Sequence, residues 1–172
     1  MRAAARLAIV IGLLGIISSS EVNAQVVAGR ADSVYAADSV VLERTLCFGT
    51  CPAYRLSVSR SGITHFESRN PGDDKRRASD SMSANDFEQI LIQAHLIDFW
   101  SLPGRIADDK HFCPLDVTDN PTAIVTVFTH QKIKRVEDYY GCYWAPAGLR
   151  DLERYLDEVT NAKRWIRPAA LR

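Results

Sequence analysis

The sequence lacks an excess of either charge, since its 172 residues carry 21 Lys+Arg and 21 Asp+Glu. A nucleic-acid-binding domain shows a basic excess, so this balance argues against that class of function. The sequence also lacks the Gly-x-Ser-x-Gly motif of serine hydrolases, a phosphate-binding glycine loop and the His-Glu-x-x-His helix of zinc proteases. Internal repeats and low-complexity tracts are absent. An enzyme is therefore the weaker hypothesis, and we expect no cofactor.

Long hydrophobic runs are absent except near the amino terminus. The apolar run Leu7–Ile17 follows two arginines and precedes the small residues Val22 and Ala24. This order predicts a secretory signal peptide over residues 1–24, cleaved before Gln25, whose apolar run is too short to span a membrane. We therefore expect an exported protein, periplasmic or secreted. It would have no transmembrane segment after cleavage, and its partner would be an unknown envelope or extracellular molecule.

The remainder of the chain has the size of one ordinary domain. Without the predicted leader, 148 residues with 19 basic and 20 acidic side chains remain, which is enough for a real core. We expect a flexible lead over residues 25–37, a single domain over residues 38–162 and a basic tail over residues 163–172. Trp165 is expected to pack back on the domain.

The hydrophobic pattern predicts strands in hairpins with helices between them. Five strands are predicted, at Ser39–Thr45, Ala53–Arg60, Ile63–Ser68, Ala123–Thr129 and Lys132–Tyr140. The second shows the period of two that is typical of a half-buried strand, with Tyr54, Leu56 and Val58 on one face. The polar segment Asn70–Asp80 is interpreted as a loop with a solvated basic run. The order βββ-α-ββ-α predicts an α+β fold, an antiparallel sheet of about five strands with two helices packed on one face.

Helical periodicity predicts the two helices. Ser83 and Asp86 have the spacing of a helix cap, and Pro146 suits the first turn of the second helix. The apolar stripe of the first helix is Phe87, Ile90, Leu91 and Ala94. That of the second is Leu149, Leu152, Leu156 and Val159, with Arg150, Arg154 and Glu158 predicted to lie on the outside.

Four cysteines in an exported chain predict disulfides before metal ligands. Three pairings are possible, and we favour Cys47–Cys51 with Cys113–Cys142 because each pair lies within one local unit. On the loop-entropy relation, the bridge closing 30 residues would contribute about 3.5 kcal/mol and the bridge closing five residues about 2 kcal/mol. Cys113–Cys142 is therefore the predicted stabilising bridge, and Cys47–Cys51 is the better candidate for chemistry.

Three hypotheses remain open for the segment Cys47–Pro52. Its cysteines could simply close a hairpin corner, or they could join Cys113 and Cys142 in a zinc site. Alternatively they could be a thiol-disulfide or copper-handling pair, since their spacing before a proline resembles the metal-binding thiols of copper chaperones of thioredoxin fold. Those chaperones place the thiols at a helix N-terminus, which lowers thiol pKa, whereas a strand is predicted after Pro52. A structural bridge without metal is the favoured hypothesis.

Two further groups of residues are weaker candidates. A calcium ion prefers carboxylate ligands, but the spacing of the acidic residues in the loop before the fourth strand matches no ordered calcium loop. These residues are Asp108, Asp109, Asp116 and Asp119. Asp108-Asp109 could also act with His111 as a general base and the group that orients it. The aromatic run Asp138–Trp144 is interpreted as core packing, with a shallow groove for a peptide or glycan as the alternative.

The run from Arg44 to Tyr54 resembles the motif of an uncharacterised family of bacterial exported domains, Arg-Thr-x-Cys-Phe-Gly-x-Cys-Pro-x-Tyr between two strands. The matching residues are Arg44, Thr45, Cys47, Phe48, Gly49, Cys51, Pro52 and Tyr54, with Gly62 at the next turn. The resemblance covers about Asp38–Val159 and implies a small domain of unknown function. Cys113 and Cys142 are additions to the shared pair, which supports pairing them with each other.

Taken together, these patterns predict an exported, disulfide-stabilised, non-enzymatic binding or envelope-associated module. The motif residues and the two cysteine pairs are its candidate site. The alternative is a thiol-disulfide or copper-handling protein that acts through Cys47 and Cys51. A hydrolase built on Asp108, Asp109 and His111 is a third hypothesis.

Overall fold

A computed structural model describes residues 36–73 and 76–167. The predicted signal peptide, most of the lead and the last residues of the basic tail lie outside the described residues. The strands are β1 (Ala37–Arg44), β2 (Tyr54–Ser59), β3 (Ile63–Ser68), β4 (Arg77–Ser81), β5 (Thr122–Thr129) and β6 (Ile133–Tyr139). The helices are α1 (Ala84–Leu96) and α2 (Ala147–Val159), with short 3-10 turns at Ile106–Asp108 and Ala162–Arg164.

The strands form one antiparallel sheet in the order β4-β3-β2-β1-β5-β6. β1 lies inside the sheet, between β2 and β5, and its Val40, Val41 and Leu42 are all buried, as is typical of a strand that is covered on both faces. The predicted α+β class with an antiparallel sheet is confirmed. The sheet has six strands rather than about five.

One face of the sheet carries the hydrophobic core. Leu42 lies opposite Leu56 on β2 and opposite Val125 on β5, so their side chains share a face. The apolar stripes of both helices bury against this face as predicted, and their buried residues are Phe87, Ile90, Leu91, Ala94, Leu149, Leu152 and Leu156. The opposite face of the sheet, which we call the outer face, carries mostly polar and charged side chains.

The fourth strand corrects the prediction of a loop over Asn70–Asp80. Residues 77–81 pair with β3 along its whole length, yet only Ala78 is even half-buried among them. Edge strands tolerate charged and polar side chains because one side of the strand and both faces can meet water. The main chain therefore forms β4 without the apolar alternation on which the prediction depended.

Both helix starts fall where the sequence predicts them. Ser83 Oγ accepts from the Asp86 amide at 3.1 Å and Asp86 Oδ2 accepts from the Ser83 amide at 3.2 Å, a reciprocal cap. Pro146 directly precedes α2. No helix within residues 36–73 and 76–167 is long and apolar enough to span a membrane.

The ends of the described chain are tied to the core. Ala37, which the sequence analysis placed in the lead, is the buried first residue of β1. Trp165 packs on Phe66 with ring centroids 5.6 Å apart, as expected for this tryptophan.

Candidate functional site

The motif residues of Arg44–Tyr54 occupy the connection between β1 and β2. Arg44 and Tyr54 face each other as the last partners of the two strands, and the loop between them is closed by the Cys47–Cys51 bridge, with Cα atoms 5.5 Å apart. Thr45 ties the loop to β5, since its Oγ1 accepts from the Thr122 amide at 2.8 Å. Because a strand follows the loop, no helix N-terminus supports these cysteines.

Arg44 and Tyr54 point inward, where they hold α2 against the sheet. The Arg44 guanidinium donates to Asp157 Oδ2 at 2.8 and 3.0 Å, and the Tyr54 hydroxyl donates to Asp157 Oδ1 at 2.6 Å. Arg44 also donates to the Tyr140 hydroxyl at 2.7 Å. Charge-assisted hydrogen bonds of this length are among the strong ones in proteins. The motif arginine and tyrosine therefore act from inside the fold.

Arg44, Tyr54, Tyr140 and Asp157 form what we call the buried network. Glu153 extends it into the core. Tyr140 donates to Glu153 Oε2 at 2.6 Å, while Glu153 Oε1 has no hydrogen-bond partner among the described residues. The side chain is only 1% exposed, and this burial raises the pKa of Glu153 to about 7. Burial likewise raises the pKa of Tyr140 to about 12, so Tyr140 is a protonated donor at neutral pH.

A second buried ion pair lies at the start of α2. Arg150 donates to Asp138 Oδ2 at 2.8 Å and to the Cys142 carbonyl oxygen at 2.7 Å. Burial raises the pKa of Asp138, and the hydrogen bond from Arg150 opposes that rise. Arg150 was predicted to lie on the outside of its helix, and that prediction is wrong: the side chain is half-buried because it lies over the buried Asp138.

The two disulfides and several main-chain bonds bring three loops together at one end of the sheet. We call residues 45–53, 113–121 and 141–146 the disulfide loops. Phe48 N donates to the Asp119 carbonyl oxygen at 3.3 Å, and Val117 N donates to that of Gly141 at 3.0 Å. The predicted Cys113–Cys142 bridge is present, with Cα atoms 5.0 Å apart. Each loop is thus bonded to a neighbouring loop.

Gly141 permits the closest approach between these loops. A Cβ atom at this position would lie 2.2 Å from the Val117 carbonyl oxygen and 2.4 Å from the Tyr139 ring. Tyr139 in turn donates its hydroxyl to the same Val117 oxygen at 2.8 Å. The glycine is therefore needed for the tight contact between two of the disulfide loops.

The disulfide loops carry most of the exposed large apolar side chains. Nine such side chains are exposed in the described residues, and six of them lie on these loops: Leu46, Phe48, Leu115, Val117, Tyr143 and Trp144. Phe48 is 90% exposed and Trp144 57%. The aromatic run interpreted as core is thus divided: Tyr140 belongs to the buried network and Tyr143 and Trp144 face solvent.

The other candidate residues do not form a site. His111 and Asp109 meet only through a bond from the His111 amide to Asp109 Oδ1, and Asp108 pairs with Arg105 instead. Within the described ranges, no three His, Cys, Asp or Glu residues lie close enough together to hold a metal ion. The four cysteines are all in disulfides. The geometry therefore supports neither the calcium cluster nor the four-cysteine zinc site.

Sequence reasoning missed the polar side of α2. Arg150, Glu153 and Asp157 are spaced three and four apart, which places them on one side of the helix. They stand one position after the apolar Leu149, Leu152 and Leu156, so the only available signal was a polar row at the border of the apolar stripe. Nothing local indicates that this row meets Arg44, Tyr54 and Tyr140 from distant strands.

Comparison with known proteins agrees with the boundaries of this fold. No curated protein matches the chain. A family described as Domain of unknown function (DUF6438) matches residues 38–160, from the second residue of β1 to the residue after α2. The match includes both disulfides, the disulfide loops and the buried network beneath them. The chain belongs to the DUF6438 family of domains of unknown function.

Proposed function

We propose that this domain is a non-enzymatic binding module that holds a partner on its disulfide loops. The observation that carries the proposal is the concentration of six of the nine exposed large apolar side chains on these three loops. Exposed apolar side chains scattered singly are ordinary, whereas a group of them on one surface marks a site of interaction. Aromatic residues such as Phe48, Tyr143 and Trp144 are also the usual anchors of such surfaces.

The loops are held in place before any partner arrives. Two disulfides, the main-chain bonds between the loops and the ion pairs beneath them all restrict their motion. A surface that is already ordered loses less conformational entropy on binding, which strengthens affinity. The buried network of Arg44, Tyr54 and Asp157 supports this end because it anchors the strands that carry the loops.

The proposal includes export to an oxidising compartment. The two disulfides support it, because such bonds persist in secreted and periplasmic proteins and are rare in the cytosol. The predicted signal peptide supports it independently. A partner in the cell envelope or outside the cell fits both features.

Selection from a random-peptide display library tests the binding proposal. We expect the oxidised domain to select peptides, and Phe48→Ser combined with Trp144→Ser to weaken their binding at least about thirtyfold, roughly the cost of losing one hot-spot side chain. Ile133→Ser is the matched control, because Ile133 is also exposed but lies at the start of β6, away from the loops. If the control weakened binding as much as the double variant, the loops would not be the binding surface.

A thiol-disulfide function of Cys47 and Cys51 is the second candidate. It is favoured by one observation, that these two cysteines are partly exposed while Cys113 and Cys142 are 2% and 0% exposed. Access is one requirement of a reactive disulfide. Titration with glutathione buffers separates the two candidate functions. If Cys47–Cys51 is reduced far more readily than Cys113–Cys142, redox chemistry is supported. If the two bridges resist reduction equally, redox chemistry is excluded.

A further inference from the structure

A shallow depression lies where the outer face of the sheet meets the disulfide loops. It measures about 250 Å³ and is lined by Arg105, Ala107, Asp116, Thr122, Glu137 and Tyr139. Thr122 and Tyr139 are paired residues of β5 and β6, and Asp116 belongs to the second disulfide loop. The depression is thus continuous with the surface to which the proposed function assigns binding.

The charges of the depression are unevenly compensated. Arg105 lies 3.3 Å from Asp108 and 3.4 Å from Glu137, and Glu137 is also paired with Arg135, so two arginines meet two carboxylates there. The Asp116 carboxylate has no ion-pair partner in the part of the chain that the structure describes. The disulfide loops themselves contain two charged residues, Asp116 and Asp119, and both are acidic. The local field therefore favours a cation.

The walls of the depression are fixed in position. The hydroxyl of Tyr139 donates to the Val117 carbonyl oxygen and accepts from the Asn120 amide at 3.3 Å. These two bonds hold the ring in one orientation. Asp116 pairs through its main chain with Cys142, which belongs to a disulfide. An aromatic ring and a carboxylate on rigid backbone are the groups that receive a lysine or arginine side chain.

Exposed apolar residues adjoin Asp116 in the sequence. Leu115 and Val117 precede and follow Asp116, and both are exposed. We infer that the partner is a protein segment that places a lysine or arginine side chain in this depression and rests neighbouring apolar side chains on the disulfide loops. This inference rests on the proposed function and adds the chemistry of the partner.

The composition of the selected peptides tests this inference. We expect peptides selected from the random display library to be enriched in lysine or arginine next to apolar residues. Asp116→Asn should weaken their binding about tenfold, near the lower limit measured for close charge pairs across interfaces, and should remove the basic enrichment in a repeated selection. Asp80→Asn is the matched control, because Asp80 is an exposed aspartate on β4, at the opposite edge of the sheet.

The possible failures are distinguishable. Selected peptides without basic residues, or unchanged affinity in Asp116→Asn, would overturn the inference while the proposed binding surface would stand. Self-association through the loops, seen by analytical ultracentrifugation and abolished by Phe48→Ser, would also overturn it, since the occupant would then be a second copy. If no peptide were selected and Phe48→Ser left the sedimentation of the domain unchanged, the proposed function itself would be wrong.

Discussion

Glu153 lies in surroundings unlike those of an ordinary, exposed carboxylate. It accepts one hydrogen bond, from Tyr140, and its other oxygen has no partner among the described residues. Arg44 and Arg150 are close enough to favour the charged form, but burial outweighs them and raises the pKa of Glu153 to about 7. A buried carboxyl of this kind makes the stability of the fold depend on pH.

The direction of that dependence follows from the raised pKa. Folding favours the protonated carboxyl, so the contribution of Glu153 is fully present below about pH 4.5. It is lost as the pH rises to about 7, at a cost on the order of 3 kcal/mol at most. Glu153→Gln removes this titration and retains an oxygen to accept the bond from Tyr140. We therefore expect the variant to lose less stability than the wild type between about pH 4.5 and about pH 8.

Urea unfolding at both ends of that range measures the effect. Glu158→Gln is the control on the same helix, because the Glu158 side chain is exposed, and it should follow the wild-type pH profile. Parallel profiles for the wild type and Glu153→Gln would contradict the assignment of a raised pKa to Glu153.

Elements of the fold could be predicted from the sequence where an apolar pattern or a capping residue marked them. α1 shows both, and its cap and buried stripe are those expected from Ser83 and Phe87. β4 shows neither signal, since it is an edge strand of mostly exposed polar residues that pairs with β3 through the main chain. The pairing of Arg44 with Asp157 was equally unpredictable, since 113 residues separate them along the chain.

The two disulfides should differ in their contributions to stability. Replacing Cys113 and Cys142 by alanine frees a loop of 30 residues, from the long connection before β5 to the turn after β6. We expect this double variant to lower the free energy of unfolding by about 3.5 kcal/mol, and the equivalent change at Cys47 and Cys51 by about 2 kcal/mol. Denaturant unfolding of both variants and the wild type gives the comparison. An equal or larger loss at the short bridge would contradict this order.

At the scale of the whole molecule, the sheet, α2 and the disulfide loops form one supported end. The helix is joined to β1 and β2 through Asp157 and to β6 through Arg150. The three loops project from the ends of the same strands and are closed by the two bridges. We propose that this end is a binding surface and that the buried network supports it.

Hydrogen exchange with mass spectrometry, on the oxidised domain with and without a selected peptide, would show which residues the peptide covers. Binding should slow amide exchange within residues 45–53, 113–121 and 141–146 and leave α1 and β4 unchanged, because the partner would cover the disulfide loops and the depression beside them but neither of those elements. Peptide-dependent protection centred on α1 or on the outer face around β3 and β4, with the disulfide loops unaffected, would contradict the account.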